Sequence, residues 1–229
     1  VFDIDFSSRS NSDADKTITD NGVSIEVYGS NYSTNGFVRD NYGSDDYGKT
    51  DDSGNPTGRM ALRIAEDVTA KCDFKPWSNA STETTGMAIS FTIKPSNVAD
   101  SKARLIDALG DGLIGFYVTG EKVVFTCDGE KSTMYTAYMP ISTDKVTRVD
   151  IVIEPSAIAP YNGIGVVKLF GDGEERGACA YNKNALPQND NVIRFDGTLA
   201  DLYLYQMTAW NTYYQFRQAF NNYLAAMPD

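Results

Sequence analysis

With 20 Lys and Arg against 31 Asp and Glu, the 229-residue chain carries a formal charge of −11 and has no histidine. That charge opposes docking on phosphate backbones and on anionic membrane surfaces, so neither nucleic acid nor membrane is an expected partner. The missing imidazole excludes a Ser-His-Asp triad, a Cys-His dyad, His-ligated zinc and an imidazole proton shuttle. The length fits one domain or two, and all-β sandwiches often fill it as one, over 1–229. No apolar run reaches the roughly 18 residues of a membrane span. Cys72, Cys127 and Cys179 form no Cys-x-x-Cys pair and are odd in number. They read as small buried strand residues rather than a disulfide framework. The opening VFDIDFSS has no basic or apolar leader pattern and no initiator Met, which reads as an excised or processed domain.

In chain order, alternation of apolar and polar residues dominates. Phe2, Ile4 and Phe6 share one strand face, and Val23, Ile25 and Val27 another. From Tyr28 to Gly58 the composition turns to Gly, Asn, Asp, Ser and Tyr, which predicts a long loop over about 28–58. Leu62 and Ile64 resume the alternation, followed by Met87, Ile89, Phe91 and Ile93 in MAISFTI. Ile114 to Val118 and Val123 to Phe125 flank Gly120 as a hairpin. Val149, Ile151 and Ile153 follow, then Val167 and Leu169. Asp128-Gly129 and Asp172-Gly173 carry the chemistry of type I′ turns, whose central residues both need positive φ. Tyr203 and Tyr205 oppose Leu202 and Leu204 on the last strand. In NTYYQFRQAFNNYLAAM, the residues Tyr213, Phe216, Phe220, Tyr223 and Met227 recur at steps of three and four. That spacing predicts one helix over about 211–226, capped by Asn211 or Thr212 and docked on the sheet by its aromatic stripe. Short strands joined by tight turns predict an all-β sandwich of two antiparallel sheets with this single C-terminal helix.

The phrases GRMALRI, MAISFTIKP, LIGFYVTGEKVVFTCDGE, TRVDIVIE, GVVKLFGDGEERG and FDGTLADLYLYQMTAWN resemble, in that order, successive strands of the laminin-G-like branch of the concanavalin A-like superfamily. NGFVRDN, ALRIAEDVTAKCDFKPW and YYQFRQAFNNYLAAMPD resemble the laminin-G-like domains of large phage tail and virion proteins of Gram-positive hosts. The resemblance implies a jelly-roll sandwich and a virion, extracellular or cell-surface setting. Fold alone gives no function.

Because that superfamily includes glycosidases, close carboxylate pairs are the first chemistry to seek. The strand motif Glu-x-Asp-x-x-Glu is absent. Asp150 and Glu154 share a strand face roughly 13 Å apart, too far for a retaining pair. They read as polar residues on a solvated sheet face, and no catalytic residue is assigned. Calcium is plausible in the superfamily and takes oxygen ligands. Asp45, Asp46, Asp51 and Asp52 are its candidate ligands, with a solvated acidic loop as the plain alternative. Aromatic rings pack against the apolar faces of sugars. Tyr32, Tyr42 and Tyr47 in the loop, and Trp77 in DFKPW, are therefore candidate ligand contacts, while Trp210 reads as a core anchor. The expected function is non-catalytic: a recognition or scaffold module that holds a cell-surface glycan or a neighbouring virion or surface protein chain. A glycoside hydrolase, or a purely structural tail or fibre domain, are the alternatives.

Overall fold

The computed structural model describes residues 2–39, 52–53, 60–65, 67–73, 86–95, 103–108, 114–119, 122–128, 134–140, 145–154, 164–182, 193–195 and 201–228. The strands are β1 (Phe2–Asp5), β2 (Thr17–Asp20), β3 (Val23–Tyr28), β4 (Phe37–Arg39), β5 (Met60–Ile64), β6 (Thr69–Cys72), β7 (Met87–Pro95), β8 (Ala103–Ala108), β9 (Ile114–Thr119), β10 (Lys122–Asp128), β11 (Met134–Pro140), β12 (Thr147–Glu154), β13 (Ile164–Gly171), β14 (Glu174–Asn182), β15 (Ile193–Phe195) and β16 (Leu202–Trp210). A helical turn, α1 (Tyr32–Asn35), and the C-terminal helix α2 (Tyr213–Ala226) complete the set, together with two short 3₁₀ turns near the N-terminus.

The larger sheet has eight strands in the order β14-β13-β12-β7-β16-β5-β4, with β1 added to β16. β16 pairs with β7 along one edge. On its other edge it meets β5 through Leu202 to Leu204 and β1 through Gln206 to Ala209. Opposite lie two four-stranded ladders, β15-β6-β3-β2 and β11-β10-β9-β8, with β15 beside β8. The described pairings are antiparallel, and the whole is the expected all-β sandwich. Its core joins the inner faces of the layers. Ile89, Phe91 and Ile93 of β7, Val149 and Ile151 of β12, and Leu202, Leu204 and Met207 of β16 pack with Ile18, Ile25, Val27 and Phe195. Cys72 is buried in β6, and Cys127 and Cys179 are strand residues.

Turn chemistry fixes the hairpins. Asp172 (φ +49°) and Gly173 (φ +83°) join β13 to β14 as the Asp-Gly pair predicts. Asn21 (φ +48°) and Gly22 (φ +78°) do the same between β2 and β3. Thr119 pairs with Lys122 at the end of the β9–β10 ladder.

A bulge reshapes β16. Leu204 opposes Ile93 and Gln206 opposes Thr92, so Tyr205 is the extra residue. The inward set is therefore Leu202, Leu204, Met207 and Ala209, all buried, and Tyr205 is itself 1% exposed. Strict alternation put Tyr203 and Tyr205 on one face; the bulge breaks that equivalence.

The stretch from 28 to 58 does not begin as a loop. Tyr28 ends β3, residues 32–35 are helical, and β4 pairs with β5. The side-chain amide of Asn11 imitates a neighbouring strand: its Nδ2 donates to the Phe37 carbonyl at 3.1 Å, and its Oδ1 accepts from the Phe37 N–H at 2.6 Å. Gly29 takes φ +138°, and a Cβ there would fall on the carbonyl of Asp67. Asp67 in turn accepts hydrogen bonds from Ser30 N–H and Oγ and from Asn31 N–H. Those bonds hold the Asp67 carboxyl below its ordinary range. Gly29→Ala should therefore destabilise the protein by more than about 1 kcal/mol, because both the backbone angle and the space exclude a side chain. An unshifted urea midpoint would refute this.

Candidate functional site

Helix α2 lies on the outer face of the eight-stranded sheet. Thr212 caps it, accepting the Gln215 N–H at 3.2 Å. Tyr213, Phe216 and Phe220 bury against Ala88, Val152 and Trp210. Trp210 meets Phe216 edge-on at 5.3 Å, and Phe170 meets Phe220 at 4.9 Å. This second, aromatic core bears out Trp210 as an anchor and Tyr213, Phe216, Phe220 and Tyr223 as the docking face, whereas Met227, the last residue of the expected stripe, is exposed.

Docking changes the status of Asp150 and Glu154. Neither lies on a solvated face, as the alternation suggested, because the helix and its neighbours cover them. Asp150 is 0% exposed. Arg148 donates to it from Nε at 3.0 Å and from Nη2 at 2.9 Å, and Ser90 Oγ donates as well. Burial pushes the Asp150 carboxyl above its ordinary value; the charge and hydrogen bonds of Arg148, then Ser90, offset only part of that. The Arg148 guanidinium stacks under Tyr223 at 3.9 Å. Glu154 sits elsewhere, in a cleft of about 240 Å³ between α2 and β12–β13. There it accepts from Lys168 at 2.8 Å and from Tyr213 Oη at 3.2 Å. Burial alone would lower the Lys168 ammonium, but the hydrogen bond and charge of Glu154 hold it above its ordinary value.

On the β16 flank of the helix, sheet register aligns the polar side chains of the outer face in rows. Asp3, Thr208, Ser90 and Asp150 are successive cross-strand partners on β1, β16, β7 and β12. Asp5, Gln206, Thr92 and Arg148 form the adjacent row. Asp3, Thr208 and Ser90 of the first row and Gln206, Thr92 and Arg148 of the second floor a groove of about 210 Å³ walled by Trp210 and Ala219, and Asp150 lies buried beneath it. Asp3 Oδ1 accepts from Gln206 Nε2 at 2.9 Å and from Thr208 Oγ1 at 2.8 Å. Further along the same face, Tyr203 lies between Lys94 (5.0 Å from the ring centre) and Arg63 (5.8 Å). The arrangement can hydrogen-bond a polar ligand laid against the sheet.

The residues named from sequence fall differently. Tyr32 is not a contact surface: it is 3% exposed, its Oη donates to the carbonyls of Ser10 and Ser12, and its ring packs edge-on against Phe37 at 6.2 Å. Burial, with the charges of Asp15 and Asp13, pushes its phenol up to about 12. Its polar neighbours suggested a loop, whereas Asn11 and Phe37 draw it into the core. Asp52 is exposed in a turn. Tyr42, Tyr47, Trp77, Asp45, Asp46 and Asp51 lie outside the described residues. Among the described residues no three His, Cys, Asp or Glu side chains are grouped to hold a metal ion. The groove residues escaped sequence reasoning because each is an ordinary polar position on its own strand. Only the register, including the bulge, brings them together.

No known protein family matches the chain by sequence, and neither does any curated protein. Its fold does match solved structures. The crystal structure of a receptor binding domain aligns with a TM-score of 0.54 at 11% identity, over 88% of this chain and 46% of that one. The botulinum neurotoxin serotype D binding domain aligns at 0.53 and 12% identity, over 75% and 44%. A structure described under the cell entry of botulinum neurotoxin type C through two ganglioside molecules aligns at 0.51 and 12% identity, over 72% and 42%. The chain spans less than half the length of each, and identities this low speak for a shared fold.

Proposed function

We propose that this chain is a non-catalytic recognition module that binds a glycan through the groove beside α2. The observation that carries the reading is the groove next to the helix, where Asp3 and Thr208 of one in-register polar row and Gln206, Thr92 and Arg148 of the next line one surface. The core of the sandwich does not need them, and a hydroxyl-rich ligand does. The similar solved structures are described as receptor-binding or ganglioside-interacting proteins, which is in keeping with a binding role. Hydrolysis is the weaker reading, because it requires two carboxylates flanking one bond. Asp3 is the one carboxylate among the described residues lining the groove; Asp150 is sealed beneath Ser90 and Arg148, and Glu154 is in the other cleft. The resemblance to phage laminin-G-like modules would place the chain on a virion or cell surface, with calcium, if used, at Asp45, Asp46, Asp51 and Asp52.

A glycan array run with calcium and with a chelator tests this. Thr92→Val with Gln206→Ala removes two groove hydrogen-bonding groups at about 0.5–1.5 kcal/mol each, so binding should fall roughly tenfold. Tyr42→Ala with Tyr47→Ala should leave it near wild type. Loss confined to the tyrosine pair would move the site to that segment, and no binding to any glycan would favour a purely structural role.

A further inference from the structure

We propose that the groove selects an amino sugar, a pyranose with a free protonated amine, over neutral and acidic sugars. This rests on the groove being the binding surface and adds the ligand's chemical class. At about 210 Å³ the groove is smaller than the roughly 300–1,000 Å³ that holds a drug-sized ligand, so it accommodates a unit the size of one sugar ring.

Two charged side chains line it, and they are not equally available. Arg148 is committed: two of its nitrogens bond Asp150, and Tyr223 covers a face of the guanidinium. Its charge is spent on a carboxylate beneath the floor. Asp3 is exposed, and both side-chain donors that reach it, from Gln206 and Thr208, go to Oδ1. Among the described residues, Oδ2 receives no protein donor. A second carboxylate adjoins it, for Asp20 Oδ2 accepts the Asp3 N–H at 2.8 Å. The amide carbonyl of Gln206 and the hydroxyl of Thr92 have no protein partner among the described residues either.

With Arg148 paired to Asp150, the groove therefore presents a local negative charge at Asp3, beside the free acceptors Asp3 Oδ2 and Gln206 Oε1. The complementary ligand brings donors and a positive charge. An ammonium supplies three N–H donors and no acceptor, and ring hydroxyls can serve Gln206 and Thr92. A uronic or sialic carboxylate would meet Asp3 as a like charge, and the overall charge of −11 acts in the same direction.

The test compares three trisaccharides of matched linkage by calorimetry at about pH 6, where an amine is protonated: glucosamine, N-acetylglucosamine and a uronic acid. Glucosamine should bind best, about fivefold tighter than its acetylated form, as expected for one solvent-exposed ion pair. The uronic acid should bind worst. The preference should shrink in high salt. Asp3→Asn, which keeps the size and one acceptor oxygen, should abolish the preference, so that the amine and its acetylated form bind alike; Asp3→Ser serves as a second variant if the first is unstable. An equal or reversed order, or a preference that survives in Asp3→Asn, overturns the amine selectivity while the groove stands as a glycan site. No binding of these or of any arrayed glycan overturns the groove reading itself.

Discussion

Phe220→Ala should destabilise the protein by roughly 3–5 kcal/mol, the range for a buried Phe truncated to Ala. Phe220 is 8% exposed. It stacks on Phe216 at 5.1 Å, meets Phe170 at 4.9 Å and lies 5.8 Å from the Arg148 guanidinium. Ala88 and Val152 beneath it are short and fixed in strands, so they fill little of the space. The outward ring of Tyr214, 63% exposed, is the control. Tyr214→Ala should stay within about 0.5 kcal/mol. The urea midpoints of the two variants decide the matter. If Phe220→Ala leaves the midpoint in place, the helix is an appendage rather than part of the fold, and the wall of the groove goes with it.

The helix was legible because its signal is local. Residues 213, 216, 220 and 223 lie on one face by geometry alone, and Thr212 caps within the same turn. The alternating strands were legible for the same reason, as was the Asp172-Gly173 turn. Asn21-Gly22 carries the same turn chemistry and could have located β2, whose short TITD run was easily passed over. β4 was not legible: it is three residues long, and its pairing is made by the Asn11 amide and by β5, both remote in sequence. Tyr32 was misjudged on the same account, since its burial is decided by Phe37 and by carbonyls at Ser10 and Ser12. The groove was least legible of all. Asp3 and Gln206 are bonded across 203 positions, and the bulge at Tyr205 sets which residues of β16 face outward. Composition and periodicity carry no information about either.

Arg148→Met is expected to cost about 3–5 kcal/mol at neutral pH, because it strands a buried carboxylate without its counter-charge. Met keeps an apolar stem under Tyr223, so the loss falls mainly on the ion pair. The pH dependence identifies the mechanism. Asp150 already lies above 3.8 in the folded protein because burial outweighs Arg148 and Ser90. Removing Arg148 takes away the largest opposing influence and raises it further. A carboxyl raised on folding holds its proton longer in the folded state than in the unfolded chain, so folded stability falls as pH rises between the two values. The deficit of Arg148→Met should therefore be greatest above the raised folded value and shrink as the pH falls toward 3.8, where Asp150 is protonated and needs no partner. The double variant Arg148→Met with Asp150→Leu should recover most of the stability at neutral pH, since an apolar pair replaces the ions without leaving a charge behind. Urea unfolding of the three proteins across the pH range measures both effects. A deficit that stays flat with pH, or a double variant no better than the single one, would show that Arg148 supports the helix by packing against Tyr223 and Phe220 and not by neutralising Asp150.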